Sequence, residues 1–408
     1  MPNKVLIKGG TVLSLDRAVG NLVGADVLIE DGVITEVGPS LRARGAEIVD
    51  AADTIVMPGF VDAHRHVWRS SLRDAGDHTA DDVYAATLAG LLQALEAGIT
   101  TVVDWCDVSG DASHLEAALT AHAESGLRTV VLPSPDGTTR TGETPLAFAS
   151  PDVVESELDH VAAAWARART TGRRIHAHAG TVAAAGGEVA ELGRRGLLGP
   201  DVTLCHCARL SDADCDAIAR SSTAVALTPT SDMAGGVGPP PMQQLLGRGI
   251  RPGLGVGEEH LAPRDIFAQM RAVISVQHAM LFDRKLAGKG GIPNLLGTRD
   301  VIRYATVDGA RVAGLADITG SLSPGKRADV LVLRADRPNI APVNDPIGAV
   351  VWGMDTSNID WVFVGGARLV ERGRLTADVA RARALVIAAD RVVGAAAGLP
   401  AGAGAHQP

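Results

Sequence analysis

Short apolar runs alternate with amphipathic segments between residues 58 and 318, and β-rich stretches bracket them, so the sequence predicts an α/β fold. A parallel sheet closed as a TIM-type (β/α)8 barrel takes ~250 residues. The 408-residue chain has room for that barrel and a small accessory domain. The expected division is the N-terminal part of a β-sandwich over 1–57, the barrel over 58–318, the C-terminal part of the sandwich over 319–375, and a helix with a flexible tail over 376–408.

Residues 3–13, 25–37 and 47–57 alternate apolar and polar positions around turns such as Asp31-Gly32, the pattern of short antiparallel strands and hairpins. The pattern returns at 327–333 and 361–370. Barrel strands are expected near 58–66, 99–105, 127–133, 144–149, 173–179, 202–207, 223–228 and 252–257. Helices are expected near 81–97, 113–125, 152–171, 188–196, 212–221, 240–248, 264–287 and 299–313. In the first of these, Val83, Ala86, Leu91 and Leu95 fall at helical spacing and Asp81 is the expected N-cap. Residues 135–149 leave space for a loop and a short strand but no helix, so one β/α unit looks trimmed, and a homo-oligomer covering that flank is expected. The segment from Thr228 to Pro241, rich in Gly and Pro, reads as a long loop after the seventh strand and a candidate lid, with Asp232 its one acid.

Composition narrows the function classes. A net charge of −9 without a basic run argues against nucleic acid or an anionic membrane as partner. No apolar stretch approaches the ~20 residues of a membrane span, so a cytoplasmic protein acting on a small-molecule substrate is expected. Cys106, Cys205, Cys207 and Cys215 form no Cys-x-x-Cys pair and read as buried free thiols. Lysine occurs only at Lys4, Lys8, Lys285, Lys289 and Lys326, none on a predicted barrel strand, which favours one metal over a lysine-bridged pair.

The run Pro58-Gly59-Phe60-Val61-Asp62-Ala63-His64-Arg65-His66 carries the most chemistry. On a strand, residues i and i+2 share a face, so His64 and His66 can converge on one cation at the ~2.0–2.1 Å of zinc–nitrogen bonds. His178 ends the expected fifth strand and His206 the sixth. Active sites of such barrels gather at the C-terminal strand ends, so four imidazoles reach one rim. His176 points the same way but deeper and reads as a core residue. Asp104 ends strand two and reads as architectural.

These motifs resemble the amidohydrolase superfamily, and within it the cytosine-deaminase and chlorohydrolase-like branch. The segment Gly320-Ser321-Leu322-Ser323-Pro324-Gly325-Lys326-Arg327-Ala328-Asp329 is similar to that superfamily's return into its accessory sandwich, so the resemblance spans nearly the whole chain. It implies one divalent metal, zinc first with iron or manganese as alternatives, held by His64, His66 and His178. It also implies hydrolysis of a non-peptide carbon–nitrogen bond in a cyclic amide, amidine or aminated heterocycle.

The branch handles protons with a strand-six histidine, matched by His206, and with two acids this chain lacks. The strand-five glutamate position is Thr181, and the strand-eight aspartate position is Gly257. A bulge would swing Glu258 into the site as the replacement acid; Glu259 or His260 on the following loop are the other candidates, and a solvated glutamate pair is the plain alternative. Trp68, Arg69 and Trp105 are candidate substrate contacts, with Arg69 and Arg73 placed either to meet an acidic or planar ligand or to face solvent. The alternative function is a diverged barrel with an altered or lost metal site, catalysing a non-hydrolytic step or only binding ligand.

Overall fold

In the computed structural model, residues 4–70, 78–108, 112–133, 146–181, 186–258, 263–289 and 295–396 are described. The N-terminal strands are β1 (Lys4–Leu13), β2 (Asn21–Glu30), β3 (Val33–Gly38), β4 (Glu47–Asp50) and β5 (Thr54–Pro58). Eight parallel strands follow: β6 (Phe60–Arg65), β7 (Ile99–Cys106), β8 (Arg128–Pro133), β9 (Phe148–Ala149), β10 (Ile175–Ala179), β11 (Val202–His206), β12 (Ala224–Leu227) and β13 (Gly253–Leu254). The chain ends in β14 (Val330–Arg334), β15 (Ile359–Val364), β16 (Ala367–Glu371) and β17 (Arg374–Leu375), then a helix over Val379–Ala396.

β6 to β8 form one ladder and β9 to β13 another. Parallel bridges Val131–Leu146 and Arg65–Gly257 link the ladders at both edges, so the eight strands run in ring order as the barrel expectation requires. The two chain ends meet where β5 pairs antiparallel with β14, Val56 opposite Val332, and nine strands join into one accessory sheet. Period-two alternation then assigns the faces. Ile55, Met57, Leu331 and Leu333 join the large barrel core, whereas Val56, Val330 and Val332 pack into a separate core with Val5, Ile7, Val27 and Phe363. The Asp31-Gly32 turn has both residues left-handed, φ 49° and 78°, between the paired Glu30 and Val33. That is a primed two-residue hairpin.

Asp329, from the returning segment, ties the layers together. Its buried carboxylate accepts a bidentate pair from Arg128 at 2.7 and 2.9 Å, and Gly365 N–H donates to it as well. Arg128 begins β8, so this link locks a barrel strand to the accessory sheet.

Three expectations need correction. The helix Ala80–Glu96 is capped by Thr79, not Asp81: Thr79 accepts from Asp82 N–H and Asp82 reaches back to Thr79 N–H, a reciprocal pair that satisfies two orphan donors. The single helix expected near 299–313 is two, Thr298–Tyr304 and Val307–Val312, because the chain breaks at Ala305 so that its carbonyl can accept Val61 N–H at 2.9 Å. The expected loop 228–241 contains a helix, Pro229–Ala234. Pro229 stands at its first position, where a missing N–H costs nothing, and Met242–Leu246 forms the next helix. Residues 134–145, where the trimmed unit falls, lie outside the described residues, as do Arg73, Glu259, His260 and the tail after 396.

Candidate active site

β6 presents His64 near its end and His66 follows its last residue, with ring centroids 5.2 Å apart. His178, from β10, lies 5.0 Å from His64, and His206, from the end of β11, lies 4.9 Å from His64 and 4.8 Å from His178. All four predicted imidazoles therefore meet at one rim. One ligand atom from each of His64, His66 and His178 can be chosen so that all three lie within 4.8 Å of one another.

The histidines are dressed by carboxylates that the sequence reading did not assign to them. His66 Nδ1 lies 3.6 Å from Asp107, His178 Nδ1 3.2 Å from Asp152, and His206 Nδ1 2.7 Å from Asp232. The two within hydrogen-bond reach, Asp152 and Asp232, are placed to fix the tautomers of His178 and His206 and so aim the opposite nitrogen at a metal or a reacting group. Among the described residues, both ring nitrogens of His64, Nδ1 of His66 and Nε2 of His178 are buried without a hydrogen-bond partner. Orphaned buried donors and acceptors are costly. A divalent cation at the three-histidine cluster would take one nitrogen from each ring and so engage one of the two His64 nitrogens and Nε2 of His178; the residues present fit a metal.

Burial, then the neighbouring imidazoles His206, His178 and His66, push the His64 pKa well below its usual value, so the ring is neutral as a ligand must be. Burial lowers His178 to about 4 against the opposing hydrogen bond with Asp152. Asp107 is raised by burial, but its attraction to the His66 ring 3.6 Å away, with help from Arg69 and Trp68, brings it down to about 2. His176 lies fully buried beneath, held neutral by burial with a pKa near 3, as its reading as a core residue requires.

A cavity of about 620 Å³ opens over the cluster. His66, His178 and His206 form its floor, with Asp107, Asp152, Asp232 and Glu258 around them. Arg69, Trp105, Thr181 and Ser231 complete much of the wall. Trp105 stacks on His178 at 3.8 Å between centroids and 23° between planes, so it both lines the cavity and fixes the His178 ring. Trp68 does not line the cavity; its indole N–H donates to Asp107 at 2.8 Å from behind. Arg69 is partly exposed but not free: it donates to Asp107 at 2.5 Å and to Glu258 at 3.1 Å.

Glu258 reaches the wall because Gly257 has left-handed backbone, φ 72°, which breaks the strand alternation. Gly257 N–H donates to His64 C=O at 2.9 Å and its carbonyl accepts from His66 N–H at 3.2 Å, while Val256 N–H donates to the Asp62 carboxylate at 3.0 Å, so the eighth strand grips the segment that carries His64 and His66. A Cβ on Gly255 would lie 2.5 Å from the His64 carbonyl oxygen. Asp104 stays outside the cavity, accepting from Val67 N–H at 2.9 Å and pairing with His122 at 2.8 Å, both carboxyl and ring fully buried.

Asp107 directly follows β7, two residues after Trp105, and both line the cavity, so the C-terminal end of that strand was a place to look for it. Asp232 was visible as the sole acid of its segment, but the Thr-Pro helix start that aims it was hidden by the surrounding glycines and prolines.

The amidohydrolase family model matches residues 55–369. The chain belongs to the amidohydrolase family. Among curated relatives, a 5′-deoxyadenosine deaminase of Methanosarcina mazei is 27% identical, covering 91% of this chain and 94% of the relative. A 5-methylthioadenosine/S-adenosylhomocysteine deaminase of Desulforudis audaxviator is 28% identical, covering 92% and 95%. In fold, this amidohydrolase is similar to an atrazine chlorohydrolase from Arthrobacter aurescens complexed with zinc, at 23% identity and a TM-score of 0.79 over 94% of this chain and 99% of the other. A zinc-bound adenosine deaminase from Xanthomonas campestris gives 20% and 0.78 over 96% and 99%. The amidohydrolase is thus a hydrolase with a barrel and a small β domain, as its motifs predict.

Proposed function

We propose that this amidohydrolase hydrolyses a non-peptide carbon–nitrogen bond in a small aminated heterocycle, cyclic amide or amidine, with one divalent metal, zinc in the first instance and iron or manganese as alternatives. The observation that carries this is the convergence of His64, His66 and His178 beneath a cavity of about 620 Å³. The deaminase relatives support the aminated-heterocycle class. The cavity volume lies within the ~300–1,000 Å³ common for small-ligand sites.

His64, His66 and His178 would hold the ion. When bound, it supplies a Lewis acid and lowers the pKa of water towards ~7. His206 receives a proton from the attacking water and returns it to the leaving nitrogen. Glu258 meets the substrate from the wall, where Arg69 orients its carboxylate. Trp105 offers a flat apolar face to a planar ring, and Trp68 supports Arg69 and Asp107 from behind.

A test is the metal content per chain of protein purified without chelators, alongside ammonia release from a panel of aminated heterocycles. About one ion per wild-type chain, lost in His64→Ala/His66→Ala, with turnover of at least one amine, is expected. A metal-free, folded wild-type protein would refute the reading. Thr181 and Gly257 in place of two acids favour the second reading, a barrel that binds ligand without activating water; metal retention with no turnover across the panel would select it.

A further inference from the structure

We infer that Asp232 is the positioning residue for His206 and supplies, from the segment after strand seven, the carboxylate that strand eight lacks. The inference rests on the hydrolytic reading of the site for its role in proton transfer, and on geometry alone for the tautomer it fixes.

Strand eight cannot furnish an acid at Gly257. A Cβ there would lie 2.9 Å from Thr228 Cβ and 3.0 Å from both Cβ and Oγ of Ser231, and the backbone is left-handed. The space an aspartate would need is filled by the first turn of the helix Pro229–Ala234. That same turn delivers Asp232. Its carboxylate is buried, 4% exposed, and Oδ1 sits 2.7 Å from His206 Nδ1, with Thr228 Oγ1 at 2.9 Å on the same nitrogen. The turn also holds Glu258, whose N–H donates to Ser231 Oγ at 3.1 Å.

A carboxylate has no proton to give, so His206 Nδ1 must carry the hydrogen and donate it. Nε2 is then the basic nitrogen, on a ring that lines the cavity. His206 itself stands at φ 70° and the next residue, Cys207, at φ 60°, two consecutive left-handed positions at the end of β11. Such backbone costs ~1–3 kcal/mol per residue and persists where surrounding contacts over-determine it. The Asp232 bond is one of those contacts.

In the step this serves, water forms the new carbon–oxygen bond while one O–H bond breaks, its proton passing to His206 Nε2. The resulting imidazolium is stabilised by Asp232 through Nδ1–H. The carbon–nitrogen bond then breaks as Nε2 returns the proton to the leaving nitrogen, and the neutral ring is restored.

The experiment compares Asp232→Asn and Asp232→Glu with wild type in zinc-loaded protein, reading kcat and KM separately, zinc per chain, and the low-field Nδ1–H resonance of His206 in 15N-histidine-labelled samples, assigned with His206→Gln. Asp232→Asn is expected to lower kcat about 10²-fold, with KM changed less than about 3-fold, zinc retained and the resonance lost. Asp232→Glu should restore part of kcat and the resonance. Full kcat in Asp232→Asn, a kcat loss that follows loss of zinc, or an Nδ1–H resonance unchanged by the substitution would each overturn the inference. Should wild type turn over no substrate, the hydrolytic reading fails by itself, while the resonance still decides whether Asp232 fixes His206.

Discussion

Gly257 lies directly under Thr228, so close that a Cβ at residue 257 would come within 2.9 Å of the threonine Cβ. With φ at 72°, even alanine meets both backbone strain and overlap. Gly257→Ala is expected to destabilise the protein by about 2 kcal/mol, and Gly257→Asp by more, without any gain in turnover. Chemical denaturation of both variants measures this; wild-type stability in either would mean that the turn over strand eight moves aside.

Metal removal should be visible in stability as well as activity. A ligand bound only by the folded state at 1,000 times its dissociation constant contributes about 4 kcal/mol. Chelation of wild-type protein is therefore expected to lower its melting temperature, and readdition of zinc to restore it. His64→Ala/His66→Ala should melt at one temperature with or without chelator. A wild-type melting curve indifferent to both treatments would show that the three imidazoles bind no ion.

Much of this site was legible because its signals are local. His64 and His66 share a face by strand period alone, and His178 and His206 end short apolar runs, so convergence at a barrel rim follows from topology. What the sequence concealed depends on contacts distant in the chain. Asp107 and Asp232 become partners of His66 and His206 only when β7 and the helix Pro229–Ala234 are brought against the cluster. Arg69 could be placed on the right connection but not paired, because Glu258 is 189 positions away. The N-cap of Ala80–Glu96 was misplaced for a different reason: two acids, Asp81 and Asp82, compete for the role with Thr79, and only the reciprocal bond to Asp82 decides it.

Arg69 bridges Asp107 and Glu258 with its side chain about one-third exposed, so its ion pairs contribute little to stability, under about 1 kcal/mol. Its planar fork can serve two carboxylates at once, which a lysine ammonium on a flexible stem does poorly. Arg69→Lys is expected to leave the melting temperature within about 2 °C while raising KM several-fold, because Glu258 is no longer held at the wall. Steady-state kinetics with thermal melts separates the two effects; a large fall in melting temperature with KM unchanged would make Arg69 a structural strut only.

Asp104 tests whether the cavity depends on a residue outside it. Its carboxylate accepts from Val67 N–H, the residue after His66, and holds buried His122, so removing it orphans two donors at once. Each buried unsatisfied group costs about 1–3 kcal/mol, which puts Asp104→Ala near 3 kcal/mol of lost stability. Because Val67 directly follows His66, one of the three proposed metal ligands, the loss should reach the site: zinc per chain is expected to fall in the folded variant, and His122→Ala, which leaves the Val67 bond intact, should retain more zinc at a comparable loss of stability. Equal zinc retention in both variants would mean that His66 is held by its bond to Gly257 without help from Asp104.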